Sequence, residues 1–169
     1  MSAFRTIVMA TDFSPTSEQA LDAAVSLARD TGAEVHLVYV VPDPLTQPWM
    51  IEGAGLDFTD LRQAWTEDAE REIRRLAESR ALDPKQFRHA VAVGAPAGEI
   101  IQYAADHHAD LIVLGSHGHG AVRRFLLGSV ADKVLRSAGC AVLVVPHSTL
   151  RAPARVTDVS QHAAAPVVS

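Results

Sequence analysis

The 169-residue chain has a single cysteine, Cys140, which excludes an intramolecular disulfide framework and leaves nothing that requires an oxidising compartment. It also lacks any apolar run near the roughly 18 residues that a membrane-spanning helix needs. The first apolar stretch, Thr6 to Ala10, is too short for a signal peptide and reads as a strand, so a cytoplasmic protein is expected. Basic residues are in the minority, 15 Lys and Arg against 20 Asp and Glu, for a net charge of −5. That balance argues against nonspecific nucleic-acid binding, which rests on basic surface. What the chain does have is apolar residues, 48% of the total, with charged types at 21%. Such a composition is too apolar for a disordered chain, and the length suits one domain with a sizeable core.

Short β-branched runs alternate with longer helical patterns. Thr6–Ala10, Val35–Val41, Phe87–Val93, Leu111–Leu114 and Ala141–Val145 read as strands. Between the first two, Ser14-Pro15 is a helix start, with serine as N-cap and proline where its missing N–H costs nothing. Ala20, Leu21, Ala24, Leu27 and Ala28 then fall on one helix face, and Gly32 sits where a C-terminal cap belongs. A second amphipathic helix carries Leu61, Trp65, Ala69, Ile73, Leu76 and Ala77 on its apolar side, with Trp65 read as core. Its charged face, from Glu67 to Arg75, reads as solvated. A third helix starts at Pro96, and a fourth carries Val130, Val134 and Leu135. Strands that are apolar on both faces and separated by helical crossovers call for a parallel α/β sheet covered on both sides. Right-handed crossovers make it an open, doubly wound, Rossmann-like sheet. Pro42–Phe58 reads as a long loop, whose Trp49 and Met50 are interface candidates, and His147–Ser169 as a tail.

Ligands of such sheets bind beyond the carboxyl ends of the strands. The segment after the fourth strand is the informative one. Four of the ten glycines, Gly115, Gly118, Gly120 and Gly128, fall there, and Gly128-Ser129 opens a helix. Glycines let backbone N–H groups face a ligand, and a helix N-terminus carries partial positive charge, so the pattern describes a phosphate cradle. Arg123, Arg124, Lys133 and Arg136 stand against the one acid Asp132 in this stretch, giving +3 within an acidic chain. Familiar alternatives are absent. There is no G-x-x-x-x-G-K-[ST] and no G-x-G-x-x-G after the first strand. His117-Gly118-His119 resembles the His-x-Gly-His of nucleotidyl transferases, but its histidines are one residue too close.

Gly115-x2-Gly118-x9-Gly128-Ser129 resembles the G-2x-G-9x-G-[S/T] signature of ATP-binding universal stress proteins. The opening Ile7–Ser14 and the stretch from Gly128 to Pro146 are similar to that family too. The resemblance implies a five-stranded sheet of order 3-2-1-4-5, ATP as ligand, and a homodimer. It places Ala10, Thr11 and Asp12 on the nucleoside side and the Val40 backbone against adenine. Gly115 and Gly118 border the ribose and first phosphates, and Gly128, Ser129 and Val130 hold the outer ones. Asp12 serves the ribose, the adenine or a Mg²⁺ or Mn²⁺ on the phosphates, or else is an N-cap or turn aspartate before Ser14-Pro15. The implied organisation is one nucleotide-binding domain over residues 1–146 and a C-terminal tail over 147–169, flexible or packed on a dimer. Pairing of two Ala141–Val145 edge strands across a two-fold axis would build that dimer.

The resulting expectation is an ATP-binding regulator or accessory protein of a stress response, with an unidentified protein partner. No residue is assigned a catalytic role, and any ATP hydrolysis is expected to be slow or partner-dependent. The rivals are an adenine-nucleotide hydrolase or adenylyl transferase, and a dimeric interaction module. A receiver domain fits less well, because the third strand ends without an acceptor aspartate and no lysine follows the fifth. The eight histidines read as solvated rather than metal-binding, with His117 and His119 facing water. Cys140 reads as a small buried thiol.

Overall fold

Five short segments become the strands of one sheet, and the three central ones, Thr6–Thr11, Glu34–Pro42 and Leu111–Gly115, are apolar enough to bury both of their faces. The computed structural model describes residues 4–43, 58–80, 82–117 and 127–146. In chain order the elements are β1 (Thr6–Thr11), α1 (Pro15–Thr31), β2 (Glu34–Pro42), α2 (Phe58–Ser79), β3 (Phe87–Gly94), α3 (Pro96–Asp106), β4 (Leu111–Gly115), α4 (Ser129–Ser137) and β5 (Ala141–Val145). The strands are all parallel and ordered β3-β2-β1-β4-β5, as the resemblance implied.

The period of two along each strand sorts side chains into two cores. Ile7 and Met9 of β1, with Leu111 and Val113 of β4, pack under α1 and α2 against Leu21 and Ile73. Val8 and Ala10, with Ile112 and Leu114, pack under α3 and α4 against Ile100 and Val134. Both caps read for α1 are present. The Ser14 hydroxyl accepts the Ser17 N–H at 3.2 Å, and Gly32 adopts φ 75° while its N–H reaches the Ala28 carbonyl at 2.8 Å. Arg80, just past α2, donates to Glu18 at 3.1 Å and Asp22 at 2.9 Å, fastening α2 to α1.

Several details differ from the reading of the sequence. Pro42 ends β2, paired with Gly94, rather than opening the loop. Trp65 is only partly buried and lines a groove. Leu135 is 51% exposed, since Val134 beside it takes the inward position on the short α4. Cys140 is half-buried, and burial pushes its thiol pKa up. His36 is buried rather than solvated. The rest of the expected loop, residues 44–57, and the expected tail, residues 147–169, lie outside the described residues, and so do Gly118 and His119.

Candidate functional site

At the carboxyl ends of β1 and β4 the sheet opens into a cavity of about 420 Å³. This is where the strand order reverses, since β1 leads outward to β2 on one side and β4 lies on the other. Ala10, Thr11 and Asp12 reach it from β1, Val40 from β2, Gly115 from β4, and Gly128, Ser129 and Val130 from the start of α4. Eight of the nine residues singled out by sequence therefore line one space. Gly118, the ninth, is outside the described residues.

The β1–α1 turn is held by side chains that the local sequence supplies in series. The Thr11 hydroxyl oxygen accepts the Phe13 N–H at 3.0 Å, and the Asp12 carboxylate accepts the Ser14 N–H at 3.0 Å. The Ser17 hydroxyl donates to the Ser14 carbonyl at 2.8 Å and lies 3.1 Å from the Thr11 hydroxyl. These bonds hold Phe13 at φ 61°, a left-handed conformation that an aromatic residue rarely adopts. The Phe13 ring packs on Tyr39 with centroids 4.7 Å apart. Asp12 is thus a turn aspartate and also lines the cavity, with one oxygen engaged by Ser14. Burial, and secondarily the Asp12 carboxylate, push the Tyr39 phenol pKa up.

Across the cavity, β4 leads into Ser116 and His117, and the described chain resumes at Leu127. Two bonds anchor this crossing. Ser116 N–H donates to the Val145 carbonyl at 2.8 Å, and Gly128 N–H donates to the Ser116 carbonyl at 2.8 Å. Helix α4 follows with Gly128 as its N-cap and no side-chain cap, its first backbone bond running from Asp132 to Gly128 at 2.9 Å. The N–H groups of its opening turn therefore have no intrahelical partner, and the helix dipole makes that end positive.

The two described glycines of the signature are explained by chain packing rather than by freedom of φ. A Cβ on Gly115 would stand 2.9 Å from Thr16 Cγ2 and 3.2 Å from the Ser17 backbone nitrogen, so glycine is what lets β4 pass under α1. A Cβ on Gly128 would stand 3.1 Å from the Ser116 carbonyl oxygen, which would press on the bond that closes the crossing. Neither glycine is left-handed.

Sequence reasoning missed part of the wall. His117, expected in water, lines the cavity, and its Nδ1 lies 2.9 Å from the Ser116 hydroxyl. Pro96 and Ile100 of α3 close the far side. Nothing local to those residues marks them, because they arrive only when α3 docks on β2. Tyr39 and Pro42 are shared with a wider groove of about 1040 Å³ that also holds Phe13 and Trp65. None of the nine site candidates lines that groove. Among the described residues, no group of three or more His, Cys, Asp or Glu could hold a metal ion, and no helix is long and apolar enough to cross a membrane.

Comparison with known proteins agrees with the fold. The profile of the Universal stress protein family matches residues 3–146. The universal stress protein MJ0531 of Methanocaldococcus jannaschii is 34% identical over 84% of this chain and 82% of its own. Among solved structures, protein MJ0577 superposes with a TM-score of 0.73 at 28% identity, covering 88% of this chain and 99% of that one. A universal stress protein described in complex with cAMP superposes at 0.62 with 26% identity, covering 85% and 98%.

Proposed function

Since the chain belongs to the universal stress protein family, we propose that it is an ATP-binding member that acts as a nucleotide-responsive regulator or accessory protein in a stress response. The observation that carries the reading is one cavity bounded by Asp12 on one side and the uncapped start of α4 on the other. The Val40 backbone takes the adenine, and Ala10, Thr11 and Asp12 the nucleoside side. Gly115 and Gly118 border the ribose and first phosphates. Gly128, Ser129 and Val130 receive the outer phosphates, where Ser129 offers a hydroxyl and an N–H to one anion. The relative described with cAMP supports an adenine ring as the recognised base.

A Mg²⁺ or Mn²⁺ fits this arrangement only as a phosphate-borne ion. Asp12 supplies a single carboxylate with one oxygen already engaged, so phosphate oxygens and water would complete the coordination shell. We place the functional domain within residues 1–146, and a two-fold dimer at the β5 edge, where Leu143 is 36% exposed. An unidentified protein would read the nucleotide state.

The test is calorimetric and analytical. Protein purified without added nucleotide should carry ATP or ADP, or its melting temperature should rise with ATP. At a hundredfold excess over Kd the gain is about 2.7 kcal/mol, or roughly 5–10 °C at this chain length. No bound nucleotide and no shift with ATP, ADP or cAMP would overturn the reading. The second reading, an adenine-nucleotide hydrolase, is favoured by His117 in the cavity wall. Turnover near the enzyme median of about 10 s⁻¹ would select it.

A further inference from the structure

His36 sits in β2 on the face covered by α3 and is only 4% exposed. Its Nδ1 lies 3.2 Å from the Tyr103 hydroxyl of α3. Its Nε2 is buried and has no hydrogen-bond partner among the described residues, with a Glu34 oxygen 3.6 Å away. That glutamate is held by Arg88, the register neighbour of His36 on β3. From α3 the His107 ring meets His36 edge-on at 5.1 Å, and Tyr103 stacks on His107 at 3.9 Å. On β1 the register neighbour is the apolar Val8. Among the described residues, Glu34, Arg88, Tyr103 and His107 are therefore the ionisable groups that face this imidazole.

The neutral ring with its hydrogen on Nε2 suits the site, because Nδ1 then accepts the Tyr103 O–H. A second proton turns Nδ1 into a donor and forces the tyrosine hydrogen away. It also buries a cation beside Arg88 and His107, with one carboxylate that Arg88 already engages. Buried charge without a dedicated partner is costly. Burial accordingly holds the His36 pKa below that of an ordinary histidine, with Glu34 opposing the shift.

We propose that the contact between His36 and Tyr103 is an acid-sensitive latch that seats the carboxyl half of α3 on the sheet, and that proton uptake there loosens the helix. The latch reaches the candidate cavity directly. Ile100, one turn before Tyr103, lines that cavity with Pro96, as do Val38 and Val40 on the same strand and face as His36. Acidification at the amino ends of the strands thus weakens the wall at their carboxyl ends. The effect on nucleotide rests on the ATP-binding reading; the latch itself does not.

The sign follows from linkage. A histidine whose pKa is depressed in the folded state binds protons more readily once released. Its stabilisation is complete above about pH 6.5, is lost as pH falls below that, and levels off once the seated ring is itself protonated. One proton limits the change to about tenfold per pH unit in the opening equilibrium. Glu34, whose pKa is lowered chiefly by its hydrogen bond to Arg88, adds its own loss only below its ordinary value of 4.5, a separate window.

Hydrogen exchange on the full chain between about pH 7.5 and pH 5.5, corrected for intrinsic rates, reads the latch. Protection of the α3 amides should fall by up to about tenfold per unit in the native sequence. It should stay level in His36→Gln, whose amide still accepts the tyrosine hydroxyl. Should that variant not fold, NMR titration of His36 in the native sequence decides. Its midpoint should lie below the ordinary 6.5 and should rise in Tyr103→Phe, which removes the donor to the neutral ring. An equal fall in protection in His36→Gln, or a native midpoint at or above the ordinary value, overturns the latch. ATP affinity should weaken in acid more for the native chain than for His36→Gln. Equal weakening overturns the link to the cavity, whereas ATP that binds at neither pH overturns the nucleotide reading and leaves the exchange result to judge the latch.

Discussion

Gly115→Ala separates two reasons for a glycine at the end of β4. The added methyl would meet Thr16 Cγ2 at 2.9 Å, the Ser17 nitrogen at 3.2 Å and the Thr16 carbonyl carbon at 3.2 Å. Two of these three atoms are backbone at the start of α1, which is anchored by Ser14, Ser17 and Thr11 and cannot retreat freely. Overpacking of this kind costs about 1–3 kcal/mol. For a domain of this length that lowers the melting temperature by roughly 3–10 °C. Thr16→Ser deletes the nearest of the clashing atoms, so the double variant should recover part of the loss, and the cycle should show a coupling of about 0.5 kcal/mol or more. Gly98→Ala is the control. Its Cβ meets nothing within 4 Å in the first turn of α3, and it should leave stability unchanged or raise it by up to about 1 kcal/mol. Circular dichroism melts without nucleotide supply the numbers. An unliganded Gly115→Ala that melts with the native protein would refute the packing argument. If its ATP-induced shift were lost at the same time, the glycine would be there for ligand approach.

Three further outcomes follow from the described contacts. Ser14→Ala removes the oxygen that caps α1 and should cost about 1 kcal/mol in denaturant melts; a change below a few tenths would mean that the Ser17 and Thr11 bonds already fix the turn. The Asp110 carboxylate accepts the Arg5 and Thr6 N–H groups at 2.7 and 3.0 Å, and these bonds lower its pKa. Its stabilisation is present above the ordinary value of 3.8 and lost as pH falls through the lowered one, so Asp110→Asn should flatten acid unfolding in that range; an unaltered acid limb would count against it. Val142→Glu places a charge on β5 and should shift the particle toward monomer in light scattering, whereas a native chain that is monomeric at every concentration would remove the edge-pairing proposal.

Much of the architecture was readable because parallel strands covered on both sides have no alternating polar face to confuse the pattern. Val35 to Val41 reads as one apolar run for that reason, and the same run hid His36, since a fully covered strand gives no cue about which histidine is inside. Caps carried the limits of α1, as Ser14-Pro15 and Gly32 act through bonds within a few residues. Periodicity failed at Trp65, which borders a groove, and at Leu135, where the helix is too short to bury a broad stripe. For the cavity, residues following β1 and β4 could be found by position alone. Pro96 and Ile100 could not, because they depend on how α3 docks, and the packing demands on Gly115 and Gly128 come from chain segments distant in sequence.

The bond from Gly128 N–H to the Ser116 carbonyl brings the departure and return of the chain together at 2.8 Å. The residues between those points close a ring whose ends are already stitched. The entropy of closing a longer ring grows only with the logarithm of its length, about 0.6 kcal/mol for each doubling. Insertions or wholesale replacement of that stretch would therefore leave β4 and α4 in place.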